Sequence, residues 1–219
     1  MFFTQQNHLI VGFDGESDKG NRPIQIRAWD TSPLSCLEEK IEISIEKPIE
    51  EGKPSSIYAM KTSLDGQYFA AISTHTYNDY QGMIRVWSSK NLSLVCEAPG
   101  IYASFRPTDG LSAVLDKEGD TLSYFDVESC SPSRTIKLPV YAEAQDMEFT
   151  QDGKYLIFLR HGFQIFDADN GNLVYEDASD IFGGFGVLKI SPDGKYLLSI
   201  IADNGPVTAL WKIDYSQSQ

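Results

Sequence analysis

The chain has 219 residues, with 18 lysines and arginines against 31 aspartates and glutamates, and a formal net charge of -13. Its hydrophobic fraction of 42% is that of an ordinary folded protein and excludes a disordered or fibrous chain. The acidic balance argues against binding to nucleic acid, because phosphate attracts a basic face, and against binding to anionic membrane surfaces.

The start of the chain carries no recognisable targeting signal. Its opening residues lack a basic region, and the apolar stretch Leu9 to Val11 is far shorter than the roughly 20 residues of a membrane span. The sequence therefore predicts a soluble, cytoplasmic protein. The three cysteines, Cys36, Cys96 and Cys130, are odd in number and widely spaced, so we expect reduced thiols and neither a disulfide framework nor a zinc site.

Four Asp-Gly pairs divide the chain into repeats. The pairs begin at Asp65, Asp109, Asp152 and Asp193, which are 44, 43 and 41 residues apart. An aromatic or apolar run follows each pair, which is typical of a tight turn between two strands, because glycine adopts positive φ at little cost. A further apolar strand in each unit ends in an aromatic residue, and we expect these residues to pack between units: Trp29, Trp87, Phe125, Phe166 and Trp211.

Four short strands in about 41 residues are typical of one blade of a β-propeller. The sequence therefore predicts an all-β fold, a β-propeller of about five four-stranded blades that forms a single domain over residues 1–219. The predicted repeats lie at about 1–46, 57–98, 101–138, 140–177 and 184–215.

The two terminal blades are predicted to be incomplete. Met1 aligns with Met147, inside an inner strand, and only five polar residues follow Asp214 at the other end. An open blade edge exposes unpaired N–H and C=O groups. We therefore expect a partner chain, or the rest of a longer propeller, to cover these blades. A closed ring with a three-stranded last blade is the alternative.

Two stretches, from Ile190 to Leu197 and from Arg27 to Asp30, resemble repeats of the WD40-like propeller superfamily. The resemblance extends over nearly the whole chain. No Gly-His pair precedes the inner strands, and only Trp29-Asp30 keeps the dipeptide that gives the superfamily its name. The resemblance therefore implies the propeller fold and leaves the function open.

Loops that gather at one end of a propeller are its usual contact surface. Aromatic rings beside hydrogen-bonding side chains make efficient contacts to a peptide or a sugar. One such loop, and three tyrosines that recur just before successive inner strands, give the predicted partner-binding residues: His75, Tyr77, Asn78, Asp79, Tyr80, Tyr58, Tyr102 and Tyr141. A plain polar loop, and blade-to-blade packing of the tyrosines, are the alternatives.

Catalytic chemistry has little support in the sequence. The three histidines lie far apart in the repeat, so neither a multi-histidine metal centre nor a Ser-His-Asp triad is predicted, and no cofactor is expected. Four carboxylates stand near the predicted channel and can serve a glycosidase-like or lactonase-like enzyme: Glu143, Asp146, Asp177 and Asp180. No pair among them is singled out.

The favoured function is therefore that of a noncatalytic scaffold for protein–protein interaction. In this reading the chain is a subunit or sensor module of a larger assembly, and its partners are proteins. A propeller enzyme that uses channel carboxylates is the alternative.

Overall fold

The computed structural model describes residues 2–3, 8–13, 24–31, 38–45, 55–75, 82–140, 144–159, 162–177, 185–191, 193–202 and 206–213. These residues form 19 strands in five antiparallel sheets, and the described part of the chain contains no helix. The predicted all-β fold is confirmed.

We call the five sheets blades 1 to 5 in chain order. Blade 1 consists of β1 (Phe2–Phe3), β2 (His8–Phe13), β3 (Ile24–Asp30) and β4 (Glu38–Ile45). Blade 2 consists of β5 (Ser55–Thr62), β6 (Tyr68–His75), β7 (Gly82–Ser88) and β8 (Leu94–Pro99). Blade 3 consists of β9 (Tyr102–Phe105), β10 (Leu111–Leu115), β11 (Thr121–Asp126) and β12 (Ser131–Lys137). Blade 4 consists of β13 (Asp146–Phe149), β14 (Tyr155–Leu159), β15 (Phe163–Asp167) and β16 (Leu173–Glu176). Blade 5 consists of β17 (Phe185–Ile190), β18 (Tyr196–Ala202) and β19 (Pro206–Lys212).

Within every blade the strands pair in chain order. In blades 2 to 5 the first strand contacts the first strand of the neighbouring blade, so these strands line the centre of the molecule and we call the first strand of each blade its inner strand. Blades 1 to 4 have four strands, although β1 has only two residues, whereas the described part of blade 5 has three. The architecture is the predicted five-bladed propeller.

The Asp-Gly pairs all lie in the turn between the first and second strands of a blade. Gly66, Gly110, Gly153 and Gly194 have φ between 64° and 70°, a region that favours glycine because it has no Cβ. In three of these turns a hydroxyl two residues before the aspartate donates to the carboxylate and accepts from the backbone. The donors are Ser63, Thr150 and Ser191. The prediction of equivalent turns is confirmed.

Each of blades 2 to 4 buries two faces, because successive residues of a strand point to opposite sides. We call the side that meets the next blade the forward face, and the side that meets the preceding blade the rear face. In β6, Ala70 and Ile72 pack forward against blade 3, whereas Phe69 and Ala71 pack backward against blade 1. The core is therefore a series of apolar layers between blades.

Four of the five aromatic residues at the ends of the third strands lie on these layers, as predicted. Trp87 is fully buried and stacks on Phe69 with ring centroids 5.4 Å apart. Phe166 is equally buried, and Phe125 and Trp211 are partly buried against the neighbouring cluster. Trp29 is half-buried in β3.

The expectation of three reduced thiols is wrong for two of them. Cys96 on β8 and Cys130 in the turn after β11 form a disulfide between blades 2 and 3, across 34 residues of sequence. The spacing of the cysteines did not reveal this pair, because the repeat brings the outer strand of one blade beside a turn of the next. Cys36 lies outside the described residues.

The structure gives no candidate for a membrane-spanning helix in the part of the chain that it describes.

Candidate functional site

One register position on the inner strands brings polar side chains to the central channel. This position is the penultimate residue of each inner strand. The pairing of the inner strands with the second strands shows that these residues are equivalent. In blades 2 to 5 this position is occupied by Lys61, Ser104, Glu148 and Lys189. Two lysines and a carboxylate therefore lie at the same level of the channel.

Lys61 reaches from blade 2 to blade 4, which is not its neighbour. Its Nζ lies 2.6 Å from Oδ1 of Asp146 and 2.8 Å from Oε2 of Glu148, and it donates a hydrogen bond of 3.0 Å to the carbonyl of Met147. Lys189 of blade 5 lies 3.6 Å from the other oxygen of Glu148. We call Lys61, Asp146, Glu148 and Lys189 the channel cluster.

The channel cluster is largely closed to water. The side chain of Lys61 is 4% exposed and that of Asp146 is 9% exposed, whereas Lys189 is half-exposed. Asp146 also accepts backbone N–H bonds of 2.8 Å from Met147 and from Leu188 of blade 5. Every ionised group in the cluster therefore has an opposite charge in contact, and the two cations balance the two anions.

Burial and attraction act on Lys61 in opposite directions. Burial by itself lowers the pKa of the Lys61 ammonium, but the charges and hydrogen bonds of Glu148 and Asp146 outweigh it, so the pKa is raised above its ordinary value. The ammonium thus stays protonated at physiological pH. A protonated lysine is neither a nucleophile nor a general base, so its role here is to hold the inner strands together.

This geometry bears directly on the carboxylates that the sequence suggested for catalysis. A glycosidase needs one carboxylate that can donate a proton and another that faces the substrate. Asp146 is instead paired with Lys61 and bonded to two backbone amides. Asp177 is the last described residue after β16, and its N–H donates to the carbonyl of Phe163. Glu143 and Asp180 lie outside the described residues.

The predicted partner-binding loop starts beside the first residue of β5 and ends beside the blade 2–blade 3 connection. His75, the last residue of β6, pairs with Ser55 at the start of β5. Gly82, the first residue of β7, accepts a 3.0 Å hydrogen bond from the N–H of Gly100. A Cβ on Gly82 would collide with the Gly100 carbonyl, so glycine allows this close approach. The end of the loop therefore lies beside the connection that leads into Tyr102.

The structure places three of the eight predicted partner-binding residues. His75 ends β6, and Tyr58 lies in β5 at a β-bulge, where the pairing with β6 shifts register between Ile57 and Ala59. Tyr102 begins β9, is half-buried and packs against the cluster between blades 3 and 4. The other five lie outside the described residues: Tyr77, Asn78, Asp79, Tyr80 and Tyr141. Partner binding by these eight residues stays a prediction.

A second charged cluster joins blades 3 and 4 at the turns. Arg106 donates to the carbonyl of Gly153 and contacts both Asp109 and Asp169. Hydrogen bonding to Arg106 lowers the pKa of the Asp169 carboxyl. The buried Tyr124 donates a 2.6 Å hydrogen bond to a backbone carbonyl, and burial raises its pKa to about 12. These groups have partners within the protein, so we assign them to blade packing.

The repeat contains a signal for the channel cluster that the motif analysis missed. Lys61, Glu148 and Lys189 each lie four residues before the aspartate of an Asp-Gly pair, directly after an apolar residue. A charged residue at the same place in three inner strands indicates a shared environment. The partners themselves could not be read off, because Lys61 and Glu148 are separated by 87 residues.

Comparison with known proteins gives a likeness of structure only. No protein-family model matches the chain, and no curated protein matches its sequence. The structure is similar to a chain in the crystal structure of the mitotic checkpoint complex, with a TM-score of 0.63 and 12% identity over 96% of this chain and 60% of that one. It is also similar to the C-terminal WD40 domain of Sif2, with a TM-score of 0.56 and 15% identity over 95% of this chain and 55% of that one.

A third similar structure carries the name of an enzyme. It is hydrazine synthase of Kuenenia stuttgartiensis, with a TM-score of 0.53 and 16% identity over 78% of this chain and 49% of that one. The chain thus spans about half to three fifths of the length of these three chains. At such identities the likeness establishes the fold and does not transfer a partner or an activity.

Proposed function

We propose that this chain, whose fold is that of a WD40-like β-propeller, is a noncatalytic module for protein–protein interaction. In this proposal residues 1–219 act as one domain, a subunit or sensor of a larger assembly, whose loop end binds a protein partner. The predicted contacts are His75, Tyr77, Asn78, Asp79, Tyr80, Tyr58, Tyr102 and Tyr141. The protein is expected to bind neither nucleic acid nor membranes.

The observation that carries this proposal is the state of the channel. In a propeller enzyme that works through channel carboxylates, those groups must remain open to a substrate. Here Asp146 and Glu148 are both in contact with Lys61, and Asp146 is shielded from water. These described channel groups therefore stabilise the fold, and we assign recognition to the loops, where binding residues are often found.

The proposal also includes the cellular location of the protein. The sequence predicts a cytoplasmic protein, whereas disulfides such as Cys96–Cys130 are rare in reducing compartments. A cytoplasmic location thus remains a prediction, and it requires that this pair form in the cytosol or be reduced there. Counting the free thiols of the protein purified from its own cells distinguishes these states.

The proposal is tested with a loop variant and a matched control. The full chain serves as bait, and each protein recovered with it is purified and titrated against three forms: wild type, a Tyr77→Ala/Tyr80→Ala variant, and Tyr175→Ala. Tyr175 is an exposed tyrosine on the outer strand β16 of blade 4 and is not among the predicted contacts. We expect the loop variant to weaken binding by about tenfold or more, as for aromatic anchors of an interface, and the control to leave it unchanged.

Two results would overturn the proposal. One is a partner that binds wild type and loop variant equally well. The other is turnover of glycosides or lactones by the purified protein that is lost in Asp146→Asn, because it would show that the channel carboxylate acts in catalysis.

A further inference from the structure

The disulfide Cys96–Cys130 occupies a place that the repeat uses to join neighbouring blades. Cys96 and Arg134 are equivalent residues of the outer strands β8 and β12, since each pairs with the residue before the third-strand aromatic. Arg134 reaches the turn after β15 in blade 4, where it donates a 2.9 Å hydrogen bond to the carbonyl of Ala168. Cys96 likewise reaches the turn after β11 in blade 3, where it is bonded to Cys130. Blades 2 and 3 are therefore joined covalently where blades 3 and 4 are joined by polar contacts.

The turn that contains Cys130 does not depend on the disulfide for its shape. Cys130 lies four residues after the end of its third strand, as Leu92 does in blade 2 and Gly171 in blade 4. The three residues have positive φ values of 51°, 59° and 75° respectively. Leu92 adopts this conformation without a sulfur, so the conformation belongs to the repeat. Breaking the disulfide should therefore leave the turn in place and change only the link between the blades.

The two cysteines differ in their access to solvent. Cys130 is only partly buried and lies in a surface turn, whereas Cys96 is 5% exposed and belongs to the apolar cluster between blades 2 and 3. Thiol–disulfide exchange begins when a thiolate attacks a sulfur that it can reach. A reductant should therefore attack Cys130, and Cys96 is then the leaving group.

The structure offers space and a polar partner for a Cys96 thiol. A small cavity lies between blades 2 and 3, and both Cys96 and Ser112 line it. Ser112 is buried, and its hydroxyl has no hydrogen-bond partner among the described residues. A buried hydroxyl without a partner is unfavourable, and a thiol is a weak hydrogen-bond donor that can supply one. Reduction therefore gives a partner to a group that the disulfide form leaves unsatisfied.

We propose that Cys96–Cys130 is a reversible redox switch, which a thiol reductant opens while the propeller stays folded. One thiolate of the reductant bonds to the sulfur of Cys130, and the electron pair of the broken S–S bond goes to Cys96, which takes up a proton. A second reductant thiol bonds to the sulfur of the first and releases Cys130 as a thiol. The two reductant thiols are thus oxidised to a disulfide, and the protein disulfide is reduced by two electrons.

Opening the switch frees the outer strand of blade 2 from its link to blade 3. This strand, β8, ends at Pro99, and the next residue, Gly100, donates its N–H to Gly82 at the end of the predicted partner-binding loop. The switch thus acts on the strand that leads to the loop end. It does not require the loop to bind a partner, so its failure would leave the proposed function untouched.

Equilibration of the full chain in two glutathione buffers tests the switch. One buffer has the redox poise of the endoplasmic reticulum and the other that of the cytosol. Free thiols are alkylated without denaturant and located by mass spectrometry, and circular dichroism reports the fold. We expect the pair to be mostly oxidised in the first buffer and mostly reduced in the second, to return when the buffers are exchanged, and the protein to be folded in both. A pair that stays oxidised in the cytosolic buffer, or is reduced only when urea unfolds the protein, would overturn the proposal.

A serine variant tests the stabilisation of the reduced form. Ser112→Ala removes the hydroxyl in the cavity, so it should raise the ratio of oxidised to reduced protein by about threefold or more in a buffer that populates both forms. The matched control is Ser123→Ala on β11, because Ser123 is partly buried in the same blade and faces Thr135 instead of the cavity. Its ratio should equal that of wild type. An unchanged ratio in Ser112→Ala would count against the proposal.

Hydrogen exchange shows where the change occurs. The amides of β8 should exchange about tenfold faster or more in the reduced protein than in the oxidised protein. Cys130→Ser should show the fast exchange without reductant, whereas Cys36→Ser should respond to reductant like wild type. If Cys130→Ser does not fold, the reduced wild type provides the comparison alone. Equal exchange of β8 in the oxidised and reduced wild type would overturn the proposal.

Discussion

Replacing Lys61 by methionine should destabilise the protein more than any other single change of a charged residue in the channel. Methionine keeps most of the length of the side chain and removes the ammonium that contacts Asp146, Glu148 and the Met147 carbonyl. Removing one partner of a buried ion pair costs about 3 to 5 kcal/mol, because the other charge is left buried without compensation. Asp146 loses the cation that it contacts among the described residues, whereas Glu148 keeps Lys189, so we expect a loss within that range.

The assay is urea unfolding of wild type and variant at pH 7. The control is Lys117→Met, since Lys117 is more than half exposed and lies 3.6 Å from Glu118. A surface lysine of this kind should change the free energy of unfolding by no more than about 0.5 kcal/mol. A loss below about 1 kcal/mol in Lys61→Met, with an unchanged dependence on urea, would refute the idea that the channel cluster holds blades 2 and 4 together.

The same pair of proteins gives a pH signature with a definite sign. The pKa of Lys61 is raised in the folded protein, so the ion pairs contribute fully below the ordinary lysine value of 10.5 and are lost as the pH rises through the folded value. The stability difference between wild type and Lys61→Met should therefore be constant from neutral to mildly alkaline pH and shrink only above that value. A difference that already disappears near pH 8 would contradict the assignment to Lys61.

Three further predictions follow from the packing, the disulfide and the charge. Trp87→Ala should lower the free energy of unfolding by about 3 to 5 kcal/mol, as for a large buried aromatic, and a loss below about 1 kcal/mol in denaturant would contradict its burial between blades 1 and 2. Reducing Cys96–Cys130 should cost about 4 kcal/mol, given its sequence separation of 34 residues, and a thiol assay on the denatured, unreduced protein should find one free thiol rather than three. Gel-shift titration with mixed DNA and RNA should show no binding at physiological salt, and micromolar binding that weakens steeply with salt would reveal a basic face that the net charge conceals.

The fold was predictable because its signals are local and repeated. An Asp-Gly turn with a hydroxyl two residues before it needs only about six neighbouring residues, and three of the five blades carry it in full. Alternation of side chains along each strand then predicts the two buried faces. The candidate site was harder to predict, since Lys61 meets Glu148 across 87 residues and Cys96 meets Cys130 across 34. Such pairs depend on how blades are placed around the centre, which the local pattern of one repeat does not contain.

The residues that depart from the repeat also explain how similar blades find a unique order. Arg106 occupies the turn position that Thr150 occupies in blade 4, and its N–H makes the equivalent backbone bond. It gives up the hydroxyl contact of that position and gains bonds to the Gly153 carbonyl and to Asp169, both in blade 4. Lys61 and Glu148 likewise take equivalent positions with opposite charges and therefore attract across the channel. Blades with identical sequences could exchange places in the fold. Arg106, Lys61 and Glu148, in contrast, find their hydrogen-bond and ion-pair partners in only one order of the blades. The positions that differ between repeats therefore specify the order of the blades, which the shared positions do not.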